Sequence, residues 1–188
     1  FAPSLLDFSE EQNTRRRTFV KIGRINVSII QGTIAEETVD VIVNSVNRDL
    51  DLETGLGSKA LADAGGNAIQ KECCEKYPNG ITKNEVAVTN GGNLKCRKVY
   101  HVTLPKWEMN NKQAIETATT NCLTEAHKSC VNSLAFPPFG SGYLNYPDEE
   151  LTDAMLQSVM NFEQLQHLTR VPIKSIVIVC HSTQNSVF

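Results

Sequence analysis

The stretch Ala135-Phe136-Pro137-Pro138-Phe139-Gly140-Ser141-Gly142-Tyr143-Leu144-Asn145-Tyr146-Pro147 carries residue types suited to holding an anion. The apolar run Leu134 to Phe136 reads as a buried strand that stops at two prolines. Gly140, Ser141 and Gly142 follow, and a long amphipathic segment begins after Pro147. Strand, small-residue loop and helix in that order let backbone N–H groups wrap a negative group, because glycine lets a ligand approach the main chain. A plain surface connection with turn glycines would use the same residues. A second polar group, Asn44-Ser45-Val46-Asn47, ends another β-branched run, Val39 to Val43. Both lie after buried strands, where open α/β sheets bind ligands.

Other patterns fail on their context. Gly55-Leu56-Gly57-Ser58-Lys59-Ala60 fits the dinucleotide fingerprint on paper, but that mechanism needs its first glycine directly after a strand, and Arg48 to Thr54 intervene. Lys59 follows Ser58, whereas a P-loop needs lysine before the hydroxyl residue. Ser141 has Phe139 two residues before it, where the hydrolase elbow requires glycine. His101, His127, His167 and His181 share no metal-ligand spacing and read as core or surface imidazoles, so no metal is expected. Asp148, Glu149 and Glu150 open the last helix, where acids complement the macrodipole.

The elements that must position these residues follow from periodicity. Thr18 to Ile22 and Ile25 to Ile30 read as strands around a Gly23 turn, and Val39 to Val43 as a strand covered on both faces. Ser58 is read as a helix N-cap, with Ala60, Leu61 and Ala64 as the buried side. Gly65-Gly66 interrupts that helix, and Asn67 to Lys76 resumes it. Val86 to Thr89 and Val99 to Leu104 are further strands. Lys112 to Cys130 and Asp148 to Leu168 carry helical stripes, and Ile173 to Cys180 is the last strand. The alternation predicts a three-layer α/β/α sandwich with a mixed, largely parallel central sheet. Residues 1–17 read as an extension or linker, and 18–188 as a single domain.

Composition sets outer bounds. The 188 residues, 40% hydrophobic, suit one domain with a full core. A net charge of -3 argues against a general nucleic-acid surface, and Arg15-Arg16-Arg17 reads as a solvated lead-in. No apolar run approaches the ~20 residues of a membrane span, and no secretory signal is visible, so no membrane association is expected. Six cysteines without a Cys-x-x-Cys pair read as reduced thiols of an intracellular protein, cytoplasmic or nuclear. The start at Phe1 rather than Met leads us to expect a longer parent protein.

Five segments taken in order resemble the macrodomain family. They are Gly32-Thr33-Ile34, Val39 to Asn47, Ser58-Lys59-Ala60-Leu61, Val88 to Cys96 and Phe136 to Pro147. The likeness spans Gly23 to Cys180 and is greatest for the tandem macrodomains of macrodomain-containing poly(ADP-ribose) polymerases. It implies a mixed sheet between helices and ADP-ribose as ligand, with no cofactor. By position, Asn47 would bond the distal ribose. Gly55, Leu56, Gly57 and Ser58 would cover one side of the diphosphate, and Phe139, Gly140, Ser141, Gly142 and Tyr143 the other. Thr33 and Ile34 would border the adenine. Amides of two glycine-containing loops can hold a diphosphate without a basic side chain.

The sequence departs from the family pattern in three places. Thr33 stands where the family usually has an Asp that accepts from the adenine amino group. Ser58 stands where hydrolytic members carry Asp. The aromatic that often flanks the adenine is replaced by Cys180 or His181, and His181 could stack in its place. The resemblance therefore implies a reader of mono-ADP-ribosylated proteins, a monomeric domain within a larger mono-ADP-ribosyltransferase-type protein. Its alternatives are a hydrolase that removes mono-ADP-ribose and an interaction scaffold with a degenerate pocket. No catalytic residue is assigned.

Overall fold

The computed structural model describes residues 17–108, 112–140, 144–165 and 172–180. Seven strands form one sheet: β1 (Arg17–Ile22), β2 (Ile25–Gln31), β3 (Val41–Ser45), β4 (Ala87–Asn90), β5 (Lys98–Val102), β6 (Ser133–Phe136) and β7 (Ser175–Cys180). Their order across the sheet is β1-β2-β7-β6-β3-β5-β4. The five inner strands run parallel, and the two edge strands run antiparallel to their neighbours. The sheet is mixed and largely parallel, as the alternation predicts.

Period-two alternation sends successive side chains of each inner strand to opposite faces. Val41, Val43, Tyr100, Leu134 and Phe136 pack with α3 (Lys112–Lys128) and α4 (Asp148–Leu165) in one core. Ile42, Val99 and Ala135 pack on the other face with Leu61 of α1 (Leu56–Gly65) and with Ile69 and Cys73 of α2 (Asn67–Lys76). Helices cover both faces, which makes three layers. This explains why the stretch 39–43, at the start of β3, reads as a nearly continuous apolar run.

Two expected boundaries moved for local reasons. The strand expected over 39–43 starts at Val41; ahead of it the Asp40 C=O accepts from Arg97 and Lys98 N–H, while its side chain and N–H tie the entrance to β6. The Asp40 carboxylate accepts from the N–H groups of Asn132 (2.9 Å) and Ser133 (3.2 Å), and Asp40 N–H donates to Ser133 Oγ at 2.8 Å. Ser58 is not the N-cap of α1. The helix begins at Leu56 with Gly55 at its cap, at φ +93°, and Ser58 lies inside the first turn, buried. A cap with φ in the glycine region needs no side chain and offers no side-chain acceptor. The extension expected over 1–17 falls on undescribed residues as far as residue 16, as does the end of the last helix, 166–168.

Candidate functional site

Parallel strands deliver their carboxyl ends to one side of the sheet. The chain leaves β3 through α1 and α2 on one face, whereas it leaves the adjacent β6 through α4 on the other. A crevice opens where neighbouring connections diverge in this way. It is flanked by the loop from Asn47 to Gly55 and by the start of the loop after β6.

The first loop is held from within. Leu50 and Leu52 are fully buried, and Leu50 adopts φ +58°, a conformation leucine takes only when its surroundings impose it. Gln70 of α2 accepts from Leu52 N–H at 2.8 Å and donates to Leu50 C=O at 3.1 Å. Asn47 Oδ1 accepts from Asp51 N–H at 3.0 Å, and Asn47 Nδ2 donates to Thr54 Oγ1 at 2.8 Å. The Asn47 amide is thus half engaged in shaping its own loop, with one N–H and one lone pair left over.

This loop ends at the start of α1. The first helical N–H bond is Lys59 to Gly55 C=O at 3.0 Å, so the N–H groups of Leu56, Gly57 and Ser58 precede the ladder, and no side chain caps them. A Cβ placed on Gly55 or Gly57 meets nothing within 4 Å, and Leu56 is 94% exposed. Free amides, an aligned helix dipole and open space make this end of α1 able to take an anion. Lys59 is already paired, with Glu53 at 2.5 Å and Asp63 at 3.6 Å. The hydrogen bond to Glu53, then the Asp63 charge, raise the Lys59 pKa. Attraction for an anion here falls chiefly to the backbone.

The second loop is built inward. The Phe139 side chain, expected near the ligand, is fully buried and meets Phe136 edge-on at 5.7 Å between ring centroids. That side chain anchors the loop and does not line the crevice. Gly140 has φ +75°, and a Cβ on it would lie 2.3 Å from the Tyr146 ring. Gly140 C=O accepts from Tyr146 N–H at 3.0 Å, Tyr146 OH donates to Pro105 C=O at 3.0 Å, and Tyr146 stands 5.0 Å from the Trp107 ring. Ser141, Gly142 and Tyr143 lie outside the described residues, as does His181.

At the far side, Gly32 N–H donates to Cys180 C=O at 2.8 Å, which fixes the exit of β2 against that of β7. Thr33 is exposed and caps a 3-10 turn (Ile34–Glu36) without a side-chain bond, and that turn packs against α1. Ile34 is half-buried against the core. Cys180 is fully buried, so its side chain is not a substitute for an adenine-flanking aromatic. β2 and β3 are three strand spacings apart, about 14 Å.

Beneath α1 lies a polar network that sequence reasoning missed. Asn44 of β3 and His101 of β5 are register partners, both buried between apolar neighbours. Asn44 Nδ2 stands 3.2 Å from both Ser58 Oγ and His101 Nδ1. His101 Nε2 stands 3.0 Å from Thr89 Oγ1 of β4 and 3.8 Å from Cys73 Sγ of α2. Burial lowers the His101 pKa to about 4 and pushes the Cys73 thiol up to about 11. The imidazole is therefore neutral at pH 7. Asn44 Nδ2 only donates, so His101 Nδ1 carries the lone pair and Nε2 the proton. The signal in the sequence was a polar residue at matching places in two otherwise apolar strands. His101 itself is the core imidazole expected.

This network does not activate Ser58. A donor amide stands between its hydroxyl and the imidazole, so no base can accept its proton along that path. Among the described residues no His, Cys, Asp or Glu group could hold a metal ion, and no helix is long and apolar enough to cross a membrane.

The signature described as Macro domain matches residues 43–155, more than half the chain. The chain belongs to the Macro domain family. This Macro domain is 27% identical over 159 residues to the human protein mono-ADP-ribosyltransferase PARP14, covering 85% of the chain but only 8% of that protein. It is 29% identical to the O-acetyl-ADP-ribose deacetylase of Escherichia fergusonii, over 85% of the chain and 90% of the enzyme. Among solved structures, the Oceanobacillus iheyensis macrodomain with ADP superposes with a TM-score of 0.79 at 25% identity, covering 90% of each chain. The matched span takes in the Asn47 loop, the start of α1 and the loop after β6, the three segments that frame the crevice.

Proposed function

We propose that this Macro domain binds ADP-ribose and reads it on mono-ADP-ribosylated proteins. The observation that carries the reading is the uncapped start of α1, where three N–H groups precede the helical ladder and the Cβ positions of Gly55 and Gly57 are open. A diphosphate suits that place, because charge-assisted hydrogen bonds from backbone amides need no basic side chain. The ADP in the Oceanobacillus relative supports the ligand class. In this reading Asn47 bonds the distal ribose with its remaining donor and acceptor, and Thr33 and Ile34 border the adenine. The whole-protein activity of PARP14 suggests a parent chain with a separate ADP-ribosyltransferase domain. Cysteines that form no disulfide support an intracellular setting.

The deacetylase relative keeps a hydrolytic reading in view. Ser58 argues against it, since its hydroxyl is buried and bonded to a donor. A thermal-shift panel with ADP-ribose, AMP, ATP and NAD tests the reader. At a hundredfold excess over the dissociation constant, ADP-ribose should add about 2.7 kcal/mol, more than AMP at equal concentration. No shift with ADP-ribose contradicts binding. Release of ADP-ribose from a modified glutamate substrate, well above a no-protein control, would favour the hydrolase.

A further inference from the structure

His101 sits where five elements meet. Through Asn44 it reaches Ser58 in the first turn of α1, and its other nitrogen faces Thr89 of β4 and Cys73 of α2. All five side chains are buried. The direction of donation is fixed along the chain of bonds: Nε2–H of His101 to Thr89, and one N–H of Asn44 each to His101 and Ser58. Because Asn44 uses a proton on Ser58 Oγ, the hydroxyl proton of Ser58 is not committed to the network. No side chain caps this end of α1, so Asn44 gives its first turn a side-chain tie to the sheet.

We propose that Asn44 and His101 are a positioning pair that holds the anion-binding turn of α1 at its working distance from the sheet. This rests on the ADP-ribose reading above, and it assigns the pair to the diphosphate end of that site alone. A buried donor left unpaired is costly, so the pair holds Ser58 only while His101 Nδ1 stays an acceptor. Neither residue touches the ligand. Their effect should fall on ligands with a diphosphate and spare the adenosine end, which rests on the exits of β2 and β7.

The experiment compares His101→Leu, which cannot accept from Asn44, with His101→Gln, which offers both an acceptor and a donor. Each is titrated with ADP-ribose and with adenosine, followed by NMR so that weak binding is measurable. His101→Leu should weaken ADP-ribose at least tenfold and adenosine less than twofold, and His101→Gln should recover most of the loss. Equal losses for both ligands, or none for either, would overturn the proposal. If His101→Leu does not fold, Ser58→Ala breaks the same tie from the other end, and the same split is expected. A readout without ligand separates this from failure of the ADP-ribose reading. In the free protein the amide signals of Leu56, Gly57 and Ser58 should shift or broaden in His101→Leu and stay near wild type in His101→Gln. Unchanged amides in a folded His101→Leu would refute the pair as a positioning device, whatever the wild type binds.

Discussion

The two loops that flank the crevice use glycine for opposite reasons. After β6, Gly140 is demanded by the protein, since its backbone is left-handed and the Tyr146 ring fills the place of a side chain. At the start of α1, Gly57 meets nothing within 4 Å and has an ordinary backbone, so packing does not require it. Glycine in a helix costs up to about 1 kcal/mol against alanine. A residue that folding would rather replace, standing beside free amides, fits the close approach of a diphosphate proposed above. Packing sets one glycine and leaves the other open.

The comparison breaks most visibly at Gly140. Gly140→Val combines a left-handed backbone, about 1–2 kcal/mol, with overpacking, about 1–3 kcal/mol. A loss on the order of 3 kcal/mol should lower the melting temperature by roughly 10 °C in a domain of this size. A variant that melts with the wild type would show that the loop opens freely.

The network under α1 gives an effect of similar size with pH. The His101 pKa falls from 6.5 unfolded to about 4 folded, so the unfolded chain binds the extra proton between those values. Stability from this group is complete above pH 6.5 and is lost as pH falls towards 4, by roughly 3 kcal/mol in all. Glu72 adds to the slope in the same direction. Burial raises its pKa, but the Lys76 and Asn90 hydrogen bonds outweigh that and leave it lowered. Urea unfolding at pH 7 and pH 4.5 should therefore show a smaller drop for a folded His101→Gln than for wild type. Equal drops would mean that His101 is charged within the fold.

Asn47→Ala should act more weakly and in two ways. Loss of its bonds to Asp51 and Thr54 should cost stability by about 1 kcal/mol, and ADP-ribose binding should weaken by about 0.5–1.5 kcal/mol. AMP lacks the distal ribose, so its affinity should hold in calorimetry. Equal losses for both ligands would leave Asn47 as a loop residue only. Smallest is Gly57→Ala, which should leave stability unchanged or raise it by at most about 1 kcal/mol in thermal melts. A loss of several kcal/mol there would erase the distinction between the two glycines.

Much of this was legible in the chain itself. β-branched runs, helical stripes and turn glycines gave the layers, because burial on both faces of a parallel sheet forces apolar continuity. The crevice followed from two polar segments after such runs. The roles of particular residues were less legible. Ser58 looked like a cap, since serine commonly is one, but Gly55 at φ +93° starts the helix three residues earlier and draws Ser58 inside. Phe139 sat in the right segment, yet a strand exit can turn a side chain either way, and this one went to the core. Asn44 and His101 are 57 residues apart, and only the β3–β5 register brings them together.

The central claim is that the open turn of α1 takes the diphosphate, and calorimetry with ADP-ribose on wild type and Gly57→Glu tests it most directly. The new side chain has room in the apo fold, and it places bulk and negative charge beside the free amides. Hydrogen bonds to charged groups are worth about 1.5–3 kcal/mol each, so losing two should weaken binding at least about a hundredfold. The melting temperature of the apo variant should stay close to wild type. A folded Gly57→Glu protein that binds ADP-ribose as tightly as wild type would place the diphosphate elsewhere and contradict the account.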